Sequence, residues 1–365
     1  MPMFSHAKTF KLNKPLTLES GASLTPVTIP YETYGQLNKD CSNAILICHA
    51  LTGNSHVCSS KEDSTEGWWE KSVGPNKAID TNTYFVICSN VLGSCKGSTG
   101  PASINPETNE AYGLSFPVFT ITDIVTVQAE LISHLNIKTL YSVVGPSMGG
   151  MQALTWAIKF AERLKKCIII ASSSSLSPQA IAFGTVGRNA IISDTNFNKG
   201  NYKDNKPEIG LSIARMIGHI TYLSKESITQ KFGRRLQKKD DYGYQHSLDF
   251  QVESYLKHQG EKFVNYFDAN SYLYLSKALS YFDLEKQFGS LKNAFKPTKA
   301  SLLFVSISSD WLYPTDQSKK MVAACMNLNK HVTFCEVNSD YGHDSFLIEN
   351  EKFDRLIHSF LGSTS

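Results

Sequence analysis

The chain has 365 residues, of which 41% are hydrophobic and 19% charged. That length suits two domains, or one large α/β domain carrying an insertion, and the apolar content excludes a disordered chain. The net charge of +3, from 36 Lys and Arg against 33 Asp and Glu, is too small for the basic face of a nucleic-acid binder.

Short apolar runs alternate with helical patterns, which predicts a mainly parallel sheet covered on both faces. The first run is Ala44 to Cys48, leading into His49-Ala-Leu-Thr-Gly53. The second, Tyr84 to Cys88, is followed by a Gly-rich loop from Gly93 to Pro101. A helix comes next. Thr122 is its expected N-cap, Asp123 suits the first-turn dipole, and Ile124, Val127, Leu131 and Leu135 recur at helical spacing. The third run, Tyr141 to Val144, ends at Gly145 and opens directly into a helix carrying Leu154, Ala157 and Phe160. Cys167 to Ala171 reads as a further strand.

From about Ser177 to about Phe295 the pattern predicts helices only, among them Ile209 to Leu223, Leu248 to Phe267 and Ser271 to Phe282. Strands resume at Leu302 to Ile307 and Val332 to Val337, and a helix from Ser345 to Phe360 closes the chain. A helical block interrupting an α/β sheet reads as a cap over the strand ends, where open α/β sheets place their ligands. The expected division is therefore an α/β catalytic domain of residues 1–174 and 297–365, with an inserted helical lid at 175–296.

A local basic cluster, Lys231, Arg234, Arg235, Lys238 and Lys239, runs straight into Asp240 and Asp241 and reads as a solvated turn. The eight cysteines form no CxxC pair, so neither a zinc ribbon nor a thioredoxin-like site is expected. Cys48, Cys88, Cys167 and Cys335 sit in apolar runs and read as small hydrophobes. Met1 to Lys14 holds no apolar core of a secretory signal. The longest uncharged stretch, Cys167 to Gly187, contains five Ser, a Thr and a Pro, too polar to span a bilayer. A reduced, soluble, cytoplasmic protein is the expectation.

Gly145-Pro-Ser-Met-Gly149 matches GxSxG and lies between an apolar strand and a helix, the context a nucleophile elbow requires. Small residues must flank a serine at such a turn, and Gly145, Gly149 and Gly150 do. In this architecture acid and histidine follow the nucleophile in that order. Asp310 comes just after the strand ending at Ile307, and His343 just after the strand ending at Val337, both on strand-end loops. Ser147 is a poor nucleophile until a base takes its proton. His343 titrates in the range for that task, and Asp310 would hold the imidazole tautomer. The oxyanion donors expected are the backbone N–H groups of Met148, next to the nucleophile, and Leu51, in the loop after the first run. Lys96-Gly-Ser-Thr99 looks like a transposed phosphate loop but lacks the Walker A spacing. No HExxH pair suggests a hydrolytic metal site, and His49 reads as structural.

Across nearly the full length the chain resembles the homoserine O-acetyltransferases, acyltransferases of the α/β-hydrolase superfamily. The resemblance rests on Tyr31-Glu-Thr-Tyr-Gly35, Asn43 to Gly53, Gly67-Trp-Trp69 with Gly74-Pro75, Gly97 to Pro101 and Gly145 to Trp156. It continues through Ala214 to Leu223, Phe267 to Tyr272, Ser309 to Pro314 and Gly342 to Phe346. It implies an α/β-hydrolase fold with an inserted lid and a ping-pong transfer from acetyl-CoA to L-homoserine in methionine biosynthesis. It further implies no bound cofactor, a homodimer joined through the lid helices, and Arg215 and Asp344 holding the acceptor's carboxylate and ammonium. A cationic fork and a carboxylate are what a zwitterionic acceptor needs. A succinyl donor or a serine acceptor on the same scaffold, and an esterase or thioesterase with the same triad, are the alternatives.

Overall fold

The computed structural model describes residues 6–203, 205–237, 240–348 and 350–363. Lys238 and Lys239 of the basic cluster, and Met1 to Ser5 at the amino terminus, lie outside them. Eight strands build the central sheet: β1 (Lys8–Leu12), β2 (Val27–Tyr34), β3 (Ala44–Ile47), β4 (Phe85–Ser89), β5 (Leu140–Pro146), β6 (Leu164–Ile170), β7 (Ser301–Ile307) and β8 (Val332–Val337). Their spatial order is β1-β2-β4-β3-β5-β6-β7-β8. The β1–β2 and β2–β4 pairs are antiparallel, and every pair from β4 to β8 is parallel.

Central strands are buried on both faces, which is why they read as unbroken apolar runs. All four residues of β3 are fully buried. Alternate residues feed two separate cores. Leu46, Val143, Cys167 and Phe304 pack to one side, and Ile45, Val144, Ile168 and Val305 to the other. β8 has a single neighbour and is partly open to solvent, so Cys335 is half-buried, whereas Cys48, Cys88 and Cys167 are buried.

The helices α1 (Ile121–His134) and α2 (Met148–Lys159) cover one face. The N-cap of α1 is Thr120, not Thr122. Its hydroxyl accepts from the Asp123 N–H, and the Asp123 carboxylate accepts from the Thr120 N–H at 2.8 Å, closing a capping box. Thr122 lies inside the first turn, because the reciprocal bond needs the carboxylate three residues after the cap.

Between β6 and β7 the described residues form helices and no strand: α3 (Pro178–Ile192), α4 (Glu208–Tyr222), α5 (Lys225–Phe232), α6 (Gln251–Val264), α7 (Ala269–Tyr281), α8 (Leu284–Phe288) and α9 (Leu291–Phe295). Close approach of α3 and α4 depends on Gly210, where a Cβ would meet the Ala190 carbonyl oxygen at 2.3 Å. After β7 come α10 (Thr315–Met326), α11 (Ser345–Ile348) and α12 (Asn350–Gly362). The single closing helix expected from the sequence is thus two, α11 and α12. The end of α12 is tied to the sheet by the buried Lys166 of β6. Its Nζ donates to the carbonyls of Phe360, Leu361 and Ser363 at 2.8, 2.9 and 2.5 Å. Among the described residues no helix is long and apolar enough to cross a membrane.

Candidate active site

Ser147 occupies the turn between β5 and α2 at φ 57° and ψ −122°. A left-handed non-glycine residue is strained and persists only where its surroundings enforce it. Here they do. The Ser147 N–H donates to Ile170 of β6 at 2.9 Å. A Cβ on Gly145 would lie 2.0 Å from the Gly149 oxygen, and one on Gly149 would lie 2.0 Å from the Cys48 oxygen. The small residues around the serine let β3, β5 and α2 converge at one point.

Asp310 stands in the loop after β7 and His343 in the turn after β8. Both are buried, and the structure brings them to Ser147 across gaps of 163 and 196 residues in sequence. His343 Nε2 lies 2.9 Å from Ser147 Oγ, and Nδ1 lies 2.7 Å from Asp310 Oδ2. The other Asp310 oxygen accepts from the N–H groups of Leu312 and Tyr313 at 3.0 and 2.9 Å. A carboxylate only accepts, so the Nδ1 proton points at Asp310 and Nε2 is left to accept from the serine hydroxyl. Burial by itself would lower the His343 pKa. The charge and hydrogen bond of Asp310, helped by Asp344, override it, so the net shift is upward.

Met148 is the first residue of α2, so its N–H is among the unbonded amides at a helix start. Leu51 shares the wall of a narrow cleft of about 80 Å³ with Ser147. Leu176, Ala180, Phe183, Leu279, Leu312 and Tyr313 also face it, and none of its described lining residues is charged. Arg215, on α4, and Asp344, beside His343, are outside that lining. Tyr222 lines the cleft, its ring 5.9 Å from the Arg215 guanidinium and 6.0 Å from the His343 ring. Arg215 also lies 4.8 Å from the Phe263 ring, and its buried Nε has no hydrogen-bond partner. Burial raises the Asp344 pKa, while His343 and Arg215 pull it down and Asp310 pushes it up.

Two aromatic neighbours of the histidine were not singled out from the sequence. The Tyr313 ring lies 5.0 Å from that of His343, and Tyr313 shares the wall of the cleft with Ser147. Burial raises the pKa of both Tyr313 and Tyr222, so each phenol keeps its proton. Each belongs to a motif noted above, but nothing in an isolated motif distinguishes a tyrosine facing a histidine from one filling a core. His49 is buried and held neutral, its pKa pushed down to about 4 by burial, with Nδ1 2.7 Å from the Ala50 carbonyl. That geometry fits its structural reading.

The α/β-hydrolase fold family matches residues 43–350. The chain is 56% identical over 357 residues to a homoserine O-acetyltransferase of Methanobrevibacter ruminantium, a span of 97% of this chain and 73% of that protein. The solved structure of a homoserine O-acetyltransferase from Bacillus anthracis is similar at a TM-score of 0.92 and 31% identity, over 98% of both chains. The structure of esterase E22 is similar at a TM-score of 0.90 and 30% identity, over 98% of this chain and 99% of that one. One backbone thus serves a transferase and an esterase, so the acceptor must be argued from side chains.

Proposed function

The chain belongs to the homoserine O-acetyltransferase family, enzymes of the α/β-hydrolase fold, and on that premise we propose that it moves an acetyl group from acetyl-CoA to the hydroxyl of L-homoserine. The observation that carries the reading is the Ser147–His343–Asp310 relay together with Arg215, whose buried Nε has no hydrogen-bond partner, and a half-buried Asp344.

In the first half-reaction His343 takes the Ser147 proton as Oγ attacks the thioester carbonyl. The N–H groups of Leu51 and Met148 hold the oxyanion, and the tetrahedral species collapses to acetyl-serine. The departing CoA thiolate takes the proton from His343. In the second, His343 takes the proton of the homoserine hydroxyl, whose oxygen attacks the acetyl carbon. Ser147 leaves and recovers the proton, giving O-acetylhomoserine. Arg215 takes the acceptor's carboxylate and Asp344 its ammonium, which holds the hydroxyl beside the acyl-serine and favours it over water. No resident cofactor enters these steps. The uncharged cleft supports acetyl over succinyl, since a succinyl carboxylate would need a cation there.

Residues 175–296 act in this reading as a lid on the catalytic domain of residues 1–174 and 297–365. Exposed Ile181, Val186 and Ile192 on α3, with Ile209, Ile213 and Ile220 on α4, support a homodimer formed through the lid. All eight cysteines are free thiols, in keeping with a reducing cytoplasm. Methionine biosynthesis is the pathway the product would serve.

The test is CoA release from acetyl-CoA and from succinyl-CoA, with and without homoserine. Release that needs homoserine and prefers acetyl-CoA is the expected result. In the same assay Arg215→Ala raises the homoserine KM by about 10- to 100-fold, the worth of a charged hydrogen bond, while acylation of Ser147 persists. Release indifferent to homoserine would instead favour the hydrolytic reading suggested by the likeness to esterase E22.

A further inference from the structure

The acyl-transfer steps leave unused a chain of three buried polar side chains, Trp156 and Gln152 on α2 and Gln128 on α1, each at most 2% exposed. The Trp156 indole N–H donates to Gln128 Oε1 at 2.9 Å, and Gln128 Nε2 donates to Gln152 Oε1 at 2.8 Å. Gln152 Nε2 then donates to two backbone carbonyls, those of His49 at 3.1 Å and Met148 at 3.3 Å.

The direction of this chain is determined chemically. An indole can only donate, so Gln128 must present its oxygen to Trp156 and its nitrogen to Gln152. Gln152 must then present its oxygen to Gln128, which leaves its NH₂ facing the carbonyls. A flipped Gln152 amide would set one oxygen against two others and one nitrogen against another, all buried.

What the two carbonyls belong to gives the chain its meaning. Met148 carries one oxyanion donor, and His49 lies two residues before Leu51, which carries the other. The β3 ladder ends at Ile47, with one further bond from the Cys48 N–H to Val144. Past that point the loop makes its own turn, the Gly53 N–H donating to Ala50 at 3.0 Å. Gln152 reaches across to this loop from α2 and joins the two backbone segments through one nitrogen. Oxyanion donors are effective only when they stand about 2.7–3.1 Å from the position the developing charge takes.

We propose that Gln152, oriented by Gln128 and Trp156, is a positioning residue that sets the spacing between the Leu51 and Met148 N–H groups, and through it the stabilisation of both tetrahedral intermediates. The inference rests on the acyl-transfer reading. Gln152 touches neither substrate nor reacting atoms, so its removal leaves ground-state binding in place and weakens binding of the transition state.

The experiment compares wild type, Gln152→Met and Trp156→Phe. Three quantities are read: acylation by acetyl-CoA and by p-nitrophenyl acetate, affinity for CoA alone, and affinity for phenylboronic acid, which forms a tetrahedral adduct on an activated serine. Gln152→Met is expected to lower kcat/KM for both acyl donors by about 10- to 100-fold, somewhat less than the loss of a whole oxyanion donor. Boronate affinity should fall in parallel while CoA affinity stays within about twofold. Trp156→Phe should move the same readouts in the same direction by a smaller factor, and it carries the test if Gln152→Met does not fold. A folded variant with acylation and boronate affinity unchanged would overturn the proposal. So would CoA and boronate affinities falling together, the mark of general loosening. Wild-type protein that neither donor acylates would instead bring down the acyl-transfer reading, and this inference with it.

Discussion

His343 shows how one side chain's chemistry is set by what faces it. Burial favours the neutral ring, and Asp310 opposes burial strongly enough to raise the pKa above the ordinary histidine value. Only the neutral ring can act as base, so acylation should fall as pH drops through that raised value, above the usual ~6.5. Asp310→Asn removes the larger upward influence and leaves burial in place. The acid limb of the acylation profile is therefore expected to move to lower pH, with a turnover loss of about 10⁴ from the lost tautomer control. A limb that stays put on measuring the pH dependence of the half-reaction would show that Asp310 does not govern the base. Ser147, Asp310 and His343 were legible in the sequence because nucleophile, acid and base follow a set order on strand-end loops. Tyr222, Tyr313 and Gln152 were not, because each acquires its role from partners far away in the chain.

Among the elements, legibility followed the continuity of the apolar run. β3, β4, β5, β6 and β7 lie in the sheet interior and showed as apolar runs. β1, the edge strand, did not stand out, since an edge strand keeps polar residues on its open side, and β2, paired on both sides and largely buried, did not because Thr, Pro and Glu interrupt its apolar run. The helix α3 falls inside the predicted helical block but was given no bounds of its own. It starts at a Ser177 N-cap with Pro178 at its first position, but Gly184 and Gly187, small where it packs and where it borders the cleft, blur the apolar period. α12 carries a test of element anchoring. Lys166 satisfies three carbonyls at its end, where the helix dipole also favours a cation. Lys166→Met strands those acceptors and should cost roughly 1–3 kcal/mol of stability. Urea unfolding should report that loss while turnover of the folded enzyme stays unchanged. Equal stability would mean that α12 is held by Phe353, Ile357 and Leu361 packing alone.

For the whole molecule, the exposed isoleucines and valine of α3 and α4 are the feature that the monomer by itself leaves unexplained. Val186 and Ile213 are 55% and 39% exposed, and an apolar face of this kind marks a surface that associates. The double substitution Val186→Glu and Ile213→Glu should convert a dimer to monomers in sedimentation, because charges placed in a symmetric interface face each other across it. A wild-type chain that sediments as a monomer would overturn the dimer reading.

The sequence by itself determined the alternation of buried strands and helices, the place of the strand-free block, and the residues that carry a hydroxyl, an imidazole and a carboxylate to the strand ends. These are properties of local pattern, and hydrophobic period and turn chemistry express them directly. The tertiary structure decided what depends on distance. It placed Ser147, His343 and Asp310 within hydrogen-bond reach, set Tyr222 near both Arg215 and the histidine, and aimed the Gln152 amide at two backbone segments nearly 100 residues apart. A pattern along the chain records which side chains share a face. Contact between faces arises only when the sheet and helices close around one another, and the chemistry of this site depends on those contacts.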